Sequence, residues 1–316
     1  MPTLKEIKGR IASVQNTLKI TSAMKLVSSA KLRKAQTAIE SMRPYQAKLQ
    51  EILNTATGGS SLKTPVFADE RAPEAAPSAK KAIFRDGDTV VIAMASNSSL
   101  CGGFNANAIA KVKEVLRERK VVRVYSIGKK MADAMRKAGY PSPEDYTSLS
   151  DHPSYGPAAD LAEKLMEEYS EGKIGSVLLV YNHFVSTGKQ VPVVEPLLEI
   201  AGQAGNDGTV IPGTPSVIPG SPSVIPGSDR ESPDVILEPS RKELLDALYP
   251  KTIKLKLFAA LLDSAAAEHA ARTVAMQTAT DNGEDLLAEL TLQYNKGRQQ
   301  KITSEILDLA GGQARD

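Results

Sequence analysis

The sequence predicts an α/β protein in which two long terminal helices pair as an antiparallel coiled coil and carry an inserted Rossmann-like α/β domain. Near both ends of the chain, apolar residues recur at alternating steps of three and four, as on one face of a helix. Between the ends, short β-branched runs alternate with helical patterns, which is typical of a buried parallel sheet. We therefore expect residues 1–56 and 241–316 to be the paired helices and residues 85–200 to be the domain.

The first helix has an apolar face that is interrupted partway. Its apolar or small positions are Leu4, Ile7, Ile11, Val14 and Leu18, and then Leu32, Ala35, Ile39 and Met42, up to about Pro44. Between the two groups the same face carries Thr21, Lys25 and Ser28. We expect Lys25 and Ser28 to need partners outside an apolar interface. Fifty helical residues span about 75 Å, which exceeds the width of most globular domains. This helix is therefore expected to extend beyond its own domain into another structure.

The middle of the chain is expected to hold the sheet. Strands are predicted at residues 90–95, 121–125 and 177–181, with helices at 105–120, 129–139 and 158–169. Residues 57–84 have scattered Pro and Ala and no periodicity, so they are interpreted as a flexible loop.

A low-complexity segment follows the domain. Residues 201–240 are rich in Pro and Gly and repeat Val-Ile-Pro-Gly from Val210, Val217 and Val224. Proline removes a backbone donor and blocks a helix, so we predict an extended insertion and return segment, either inert or a docking arm for a partner.

The second long helix is predicted from Arg241, with a break near Tyr249 and Pro250. Its apolar rows are Leu287, Leu290 and Tyr294, and then Ile302, Ile306 and Leu309. Gly283 and Gly297 each weaken a helix by about 1 kcal/mol relative to Ala, so pairing has to stabilise it.

The residues that carry chemistry are sparse. The first strand is followed by Leu-Cys-Gly-Gly-Phe-Asn at residues 100–105, which matches neither phosphate-binding glycine pattern. We interpret it as a tight turn that packs or docks, with nucleotide binding as the alternative. The single cysteine, Cys101, excludes a disulfide framework and a cysteine-based zinc site. The histidines, His152, His183 and His269, lie in different elements. No catalytic residue, cofactor or metal is therefore expected.

Charge is concentrated at the start of the chain. Residues 1–50 contain ten basic and two acidic residues, although the whole chain carries a net charge of only +2. The basic residues surround the helix without forming one stripe, and Tyr45 is the one aromatic residue among them. A protein cavity lined with carboxylates is thus favoured over nucleic acid. No run approaches the roughly 20 apolar residues of a membrane span, which predicts a soluble or peripheral protein.

Several motifs resemble those of the gamma subunit of the F-type ATP synthase. The opening segments are IKGRIASV at 7–14, KITSAMKLV at 19–27 and RPY at 43–45. The closing segments are EHAAR at 268–272, AM at 275–276, ATDNG at 279–283, YNKGRQ at 294–299 and ITSE at 302–305, and the central one is LCGGFN at 100–105. They occur in the family's order over nearly the full length.

The resemblance implies a non-catalytic central-stalk rotor that transmits torque between the membrane rotor ring and the catalytic hexamer of a proton-translocating ATP synthase. The implied partners are the alpha and beta subunits, the epsilon subunit and the c-ring, with membrane contact only through the complex. The implied location is the cytoplasmic face of a bacterial plasma membrane. Implied contacts with the catalytic ring are Met24, Lys25, Arg272, Arg298, Gln299, Thr303 and Glu305. The implied bearing tip is Ile306, Leu307, Leu309 and Ala310, and Glu238 is implied to face the rotor ring.

Two other functions remain open from the residues alone. One is a Rossmann-like nucleotide enzyme with helical extensions. The other is a coiled-coil scaffold or nucleic-acid binder that acts through the basic first helix.

Overall fold

The computed structural model describes residues 3–56, 88–199 and 241–312. The predicted flexible loop, the Val-Ile-Pro-Gly insertion and Glu238 lie outside these ranges. The helices in chain order are α1 (Leu4–Ala56), α2 (Phe104–Glu118), α3 (Lys129–Lys137), α4 (Thr147–Asp151), α5 (Tyr155–Ser170) and α6 (Arg241–Gly312). The strands are β1 (Thr89–Met94), β2 (Val121–Ile127), β3 (Ser176–Ser186) and β4 (Lys189–Glu199).

The two long helices α1 and α6 lie antiparallel, as predicted, and three contacts define their register. Thr280 Oγ1 donates a hydrogen bond to Thr21 Oγ1 at 3.1 Å. A Cβ atom added at Gly283 would lie 2.7 Å from Leu18 Cδ2, and one added at Gly297 would lie 3.1 Å from Leu4 Cδ2. In each pair the two residue numbers add up to 301. This single register therefore holds from Leu4 to Thr21.

The same register brings the two predicted apolar rows together. It places Ile7 opposite Tyr294, Ile11 opposite Leu290 and Val14 opposite Leu287. Ile7 and Leu290 are both buried. The glycines that weaken α6 locally are thus the points where α1 approaches most closely, since a side chain at either would meet a leucine of α1.

The sheet has the order β2-β1-β3-β4 and separates two apolar layers. Helices α2 and α3 cover one face, where Val112 and Met131 pack against Val91. Helices α5 and α6 cover the other, where Leu165 and Leu257 pack with Ile92. The α/β fold class with paired terminal helices is therefore confirmed.

Strand β4 was not predicted. It pairs antiparallel with β3, so the sheet is mixed and not wholly parallel as expected. Pro192 and Pro196 interrupt the apolar pattern of this strand. They are tolerated because β4 is the last strand of the sheet, where one side of the backbone needs no ladder partner.

The predicted break near Tyr249 and Pro250 is wrong, because α6 continues through Pro250. Proline leaves the carbonyl of Asp246 without its helical donor, but Asp246 is exposed and water can satisfy that group. Packing of the following turns, including buried Ile253, holds the helix in place. Helix α1 likewise continues beyond Pro44, and Leu49 is buried in that last part.

Within the described residues, no helix is both long and apolar enough to cross a membrane. In the same ranges, no three His, Cys, Asp or Glu side chains are grouped so that they could hold a metal ion.

Candidate functional site: the paired helices and their junction with the sheet

The polar interruption in α1 has partners inside the chain, contrary to expectation. Thr21 is buried against Thr280, and Ser28 is buried with its hydroxyl donating to the carbonyl of Met24 at 2.8 Å. These polar residues are satisfied because α6 offers a hydroxyl at the matching position and because a helix carbonyl accepts the other bond. An external partner is therefore not required for Thr21 or Ser28.

The outer surface of the same region is apolar. Ile20, Leu26 and Val27 are exposed by 60%, 68% and 58%. Met24 and Lys25 lie between them and are half-buried. Exposed large apolar residues that are clustered on one short segment mark an interaction surface more often than scattered ones do. This part of α1 thus presents a candidate contact surface around the predicted residues Met24 and Lys25.

At its far end α6 continues alone. Its pairing with α1 ends where Gly297 meets Leu4, so residues 298–312 extend about 22 Å further as a single helix. The predicted contact residues Arg298, Gln299, Thr303 and Glu305 are all exposed here. Thr303 Oγ1 donates to the carbonyl of Gln299 at 2.9 Å, and Glu305 lies 3.6 Å from Lys301.

The tip of this single helix also exposes apolar side chains. Ile306 and Leu307 are exposed by 59% and 65%, and Ile302 by 47%. Leu309 and Ala310 continue the helix, but their side chains lie outside the described ones. Exposure of apolar side chains to water is unfavourable, and an unpaired helix is only marginally stable. This end of α6 is therefore a second candidate contact surface.

The junction of α6 with the sheet lies where doubly wound domains bind nucleotides. That place is the carboxyl end of β1, between neighbours β2 and β3 whose connections run to opposite sides. Here the turn after β1 packs onto α6, with Cys101 and Phe104 against Ala267 and Ala271. The crevice is therefore filled by the chain's own helix, which supports the interpretation of this motif as a packing turn.

Gly102 allows the turn after β1 to approach α6 closely. Gly102 has a φ of +57°, a conformation that other residues rarely adopt, and a Cβ there would lie 3.9 Å from that of Ala275. On the other side of the turn, Asn182 Nδ2 donates to the carbonyl of Phe104 at 3.0 Å. The turn is thus held between β3 and α6.

The residues just after β1, Ser96 to Ser98, connect most of the domain. Ser96 Oγ donates to Asn105 Oδ1 of α2 at 3.0 Å. Asn97 Oδ1 accepts from the backbone N–H of Lys129 of α3 at 2.8 Å. Asn97 Nδ2 donates to the Thr147 carbonyl of α4 at 2.8 Å. Sequence reasoning missed this network, because single Ser and Asn residues after a strand give no signal of their distant partners.

Arg272 reaches the same loop from α6. Its Nη2 donates to Ser98 Oγ at 2.8 Å and its Nη1 to Glu268 Oε1 at 2.6 Å. Arg272 and Glu268 are both buried, and burial raises the pKa of Glu268 although Arg272 opposes the shift. The resemblance implied that Arg272 faces the catalytic ring; the partners it has here belong to its own chain. Its contact with the ring stays a prediction.

The neighbouring His269 lies at the junction of α1, α6 and this loop. Its Nδ1 is buried with no hydrogen bond, and burial lowers its pKa to about 4, with further lowering by nearby Arg272 and Lys31. The neutral form of His269 is therefore favoured in this environment.

A second polar contact joins α6 to the sheet on β3. Asp263 Oδ1 accepts from the backbone N–H of Phe184 at 3.0 Å, and Asp263 Oδ2 lies 2.5 Å from His183 Nδ1. Burial raises the pKa of Asp263 in spite of His183. Sequence reasoning treated His183 as isolated, since its partner lies 80 positions away in the chain.

Comparison with known proteins decides the family. The family model described as ATP synthase matches residues 3–314. A curated relative from Phocaeicola vulgatus named ATP synthase gamma chain is 43% identical over 99% of this chain and 99% of its own length. A relative of the same name from Heliobacterium modesticaldum is 36% identical, with the same coverage of both chains.

The chain belongs to the ATP synthase gamma-chain family. Two solved structures of the Euglena gracilis mitochondrial ATP synthase share its fold at 18% identity. The rotor structure has a TM-score of 0.57 and covers 95% of this chain and 98% of the other. The structure of the OSCP/F1/c-ring assembly has a TM-score of 0.59, with coverages of 98% and 93%. Within the described residues, the geometry is a pair of long helices joined to a sheet domain.

Proposed function

We propose that this gamma-family chain is the rotating central shaft of a proton-translocating F-type ATP synthase, and that it passes torque between the membrane rotor ring and the catalytic hexamer. The observation that carries the proposal is α6 itself. One helix of 72 residues is packed in the sheet domain near its start, paired with α1 along its middle and unpaired at its far end. A continuous helix transmits rotation because backbone hydrogen bonds link its successive turns, and in α6 the turns continue past the one donor that is missing at Pro250.

The proposed partners follow from the three surfaces. The single helix of residues 298–312 turns inside the ring of alpha and beta subunits, with Arg298, Gln299, Thr303 and Glu305 as polar contacts and Ile306 to Ala310 as the bearing. The apolar surface around Met24 and Lys25 lies at the neck of the ring. Epsilon and the c-ring bind the base, where Glu238 faces the c-ring. The chemistry of ATP belongs to the ring, and the complex lies at the cytoplasmic face of a bacterial plasma membrane.

The chain acts by unequal contact with its neighbours. An exposed tip that is not symmetric touches each catalytic subunit differently at a given angle, so rotation favours a different conformation in each subunit. This mechanism requires that the free energy of contact between the tip and each catalytic subunit changes with the rotation angle of the shaft.

A paired substitution tests this function. Arg298→Ala combined with Gln299→Ala should lower the number of protons pumped per ATP hydrolysed, because the tip loses its charged and polar contacts with the ring and hydrolysis can then proceed without turning the shaft. The measurement uses the whole complex in sealed vesicles. The control is Arg117→Ala with Glu118→Ala, which removes two exposed residues from the end of α2.

The isolated chain should keep its thermal unfolding temperature in both double variants. An unchanged ratio of pumping to hydrolysis in the Arg298 and Gln299 variant would refute the proposed contact. Tight binding of ATP or NAD by the isolated chain would instead favour the nucleotide enzyme, and strongly salt-dependent DNA binding would favour the nucleic-acid binder.

A further inference from the structure

We propose that the sheet domain grips α6 from two opposite sides, through Arg272 and the loop after β1 and through Asp263 and the end of β3. This two-sided grip passes torque between the domain and the shaft. The inference rests on the proposed function, since it names the joint through which the rotation would be transmitted.

The first side of the grip is a fixed arginine. Arg272 is held by Glu268, one turn earlier on α6, and its second nitrogen reaches Ser98 at 2.8 Å. Because the ion pair fixes the guanidinium, the bond to Ser98 has a defined direction. The loop that carries Ser98 is bonded in turn to α2, α3 and α4 through Ser96 and Asn97. A displacement of the helix at Arg272 is therefore transmitted through these bonds to α2, α3 and α4.

The second side is a shielded carboxylate. Asp263 accepts a backbone N–H of β3, from Phe184, and also contacts the ring of His183. Its side chain is only 17% exposed, so water competes weakly for these bonds. Phe184 also packs near Leu32 of α1 and Ala266 of α6, which ties the same strand end to both helices.

The two attachments point in different directions from α6. Asp263 and Arg272 are nine residues apart, which corresponds to about 180° around a helix and about 13.5 Å along it. Two attachments on opposite sides resist twisting in both senses. A single attachment would resist this twist less.

The apolar contacts between them define the angle of the helix less sharply than the polar contacts do. Ala267 and Ala271 meet Cys101 and Phe104 with short side chains. Burial of apolar surface is non-directional, whereas a hydrogen bond weakens steeply as its angle changes. The apolar contact therefore holds the helix against the domain, and the two polar contacts fix its angle.

The experiment measures angular stiffness in the whole complex. The catalytic ring is immobilised and halted without ATP hydrolysis, and a bead is attached to the domain through Lys113→Cys, an exposed position on α2. The variance of the bead angle reports the twist between domain and shaft. The test variant combines Ser98→Ala with Asp263→Ala. The matched control combines Ser99→Ala, in the same loop, with Asp285→Ala, exposed on α6.

We expect the variance to rise roughly twofold in the test variant and to stay at the wild-type value in the control, because the directional contacts are lost only in the first. Equal variances in the two would overturn the grip. If the double variant does not assemble, Ser98→Ala alone decides: a smaller broadening that Ser98→Thr reverses supports the grip, and no broadening refutes it. A wild-type complex whose bead never turns when ATP is supplied refutes the proposed function instead, whatever the variance.

Discussion

The two halves of α6 differ in how they are stabilised. From residue 253 to 272 the helix is buried by the sheet on one side and by α1 on another, and its core residues include Leu257, Leu261 and Ala266. From 273 to 307, where every side chain is described, the buried residues are Met276, Thr280 and Leu290. The first half finds its partners within the chain. The second half is paired with α1 on one side as far as Gly297 and is otherwise exposed, so the two halves differ in how much of the helix the chain itself covers.

The largest expected effect lies in the sheet domain that anchors the first half of α6. Gly128 has a φ of +98°, and a Cβ there would lie 2.0 Å from the carbonyl oxygen of Ala95. Gly128→Ala should therefore destabilise the domain by more than about 4 kcal/mol, which thermal unfolding of the isolated chain measures.

The matched control for this substitution is Gly139→Ala. Gly139 has a similar φ of +89° but nothing within 4 Å of the added atom, so the backbone strain alone should cost about 1–2 kcal/mol. Equal losses in the two variants would show that the close approach to Ala95 is unimportant.

The anchored half should also respond to pH through His269. Its pKa is lowered from 6.5 to about 4 in the folded chain, so the unfolded chain binds the proton first as pH falls. Stability should be lost progressively between pH 6.5 and 4, by at most about 3 kcal/mol. The measurement is the difference in free energy of unfolding between wild type and His269→Gln across this range. A difference that does not change with pH would contradict the buried neutral histidine. The raised pKa of Glu268 acts in the opposite sense and is present in both proteins.

The paired part of the shaft should show a smaller effect. A Cβ at Gly283 would lie 2.7 Å from Leu18 Cδ2, so Gly283→Ala should displace the Leu18 side chain. After the better helix propensity of Ala is subtracted, the net loss of stability should be up to about 1–2 kcal/mol. Leu18→Ala in the same chain should relieve the clash. A spin-label distance across the two helices, together with thermal unfolding, checks both.

Gly9→Ala is the control for this pair. It also replaces a helical glycine, but nothing lies within 4 Å, so it should stabilise the chain by up to about 1 kcal/mol. If Gly283→Ala were equally stabilising, the close packing of Leu18 against Gly283 would be wrong.

The smallest effect is expected at the tip. Ile306→Ala should change the stability of the isolated chain by less than about 0.5 kcal/mol, because the side chain is 59% exposed. Leu257→Ala, in the anchored half, should cost about 2–5 kcal/mol. Comparable losses in the two variants would remove the contrast between the halves.

The sequence was sufficient for the long-range pairing of the chain ends but not for its details. The apolar steps from Leu4 to Leu18 and from Leu287 to Tyr294 predicted two helical faces, and these faces meet in the structure. Gly283 and Gly297 could be recognised only as weak points, because the leucines that contact them, Leu18 and Leu4, lie 265 and 293 positions away in the chain. The hydroxyl partner of Thr21 could not be found for the same reason, since Thr280 lies 259 positions along the chain.

The contact residues were predicted by resemblance and not by physical pattern. Exposed polar residues such as Arg298 and Thr303 have no periodicity that distinguishes them from any solvated helix face. The junction was missed from the residues as well, since Ser98 and Asp263 are unremarkable until the fold brings α6 to them. Strand β4 was missed because the local pattern around Pro192 and Pro196 conflicts with its tertiary role at a sheet edge.

The most direct test of the central claim is rotation of the complete complex. The catalytic ring is fixed, and a bead on the sheet domain is observed while ATP is hydrolysed. If the shaft is anchored in the sheet domain and its tip contacts the catalytic ring, the bead should turn continuously in one direction. Sustained hydrolysis with the bead fluctuating about a fixed angle would contradict the account.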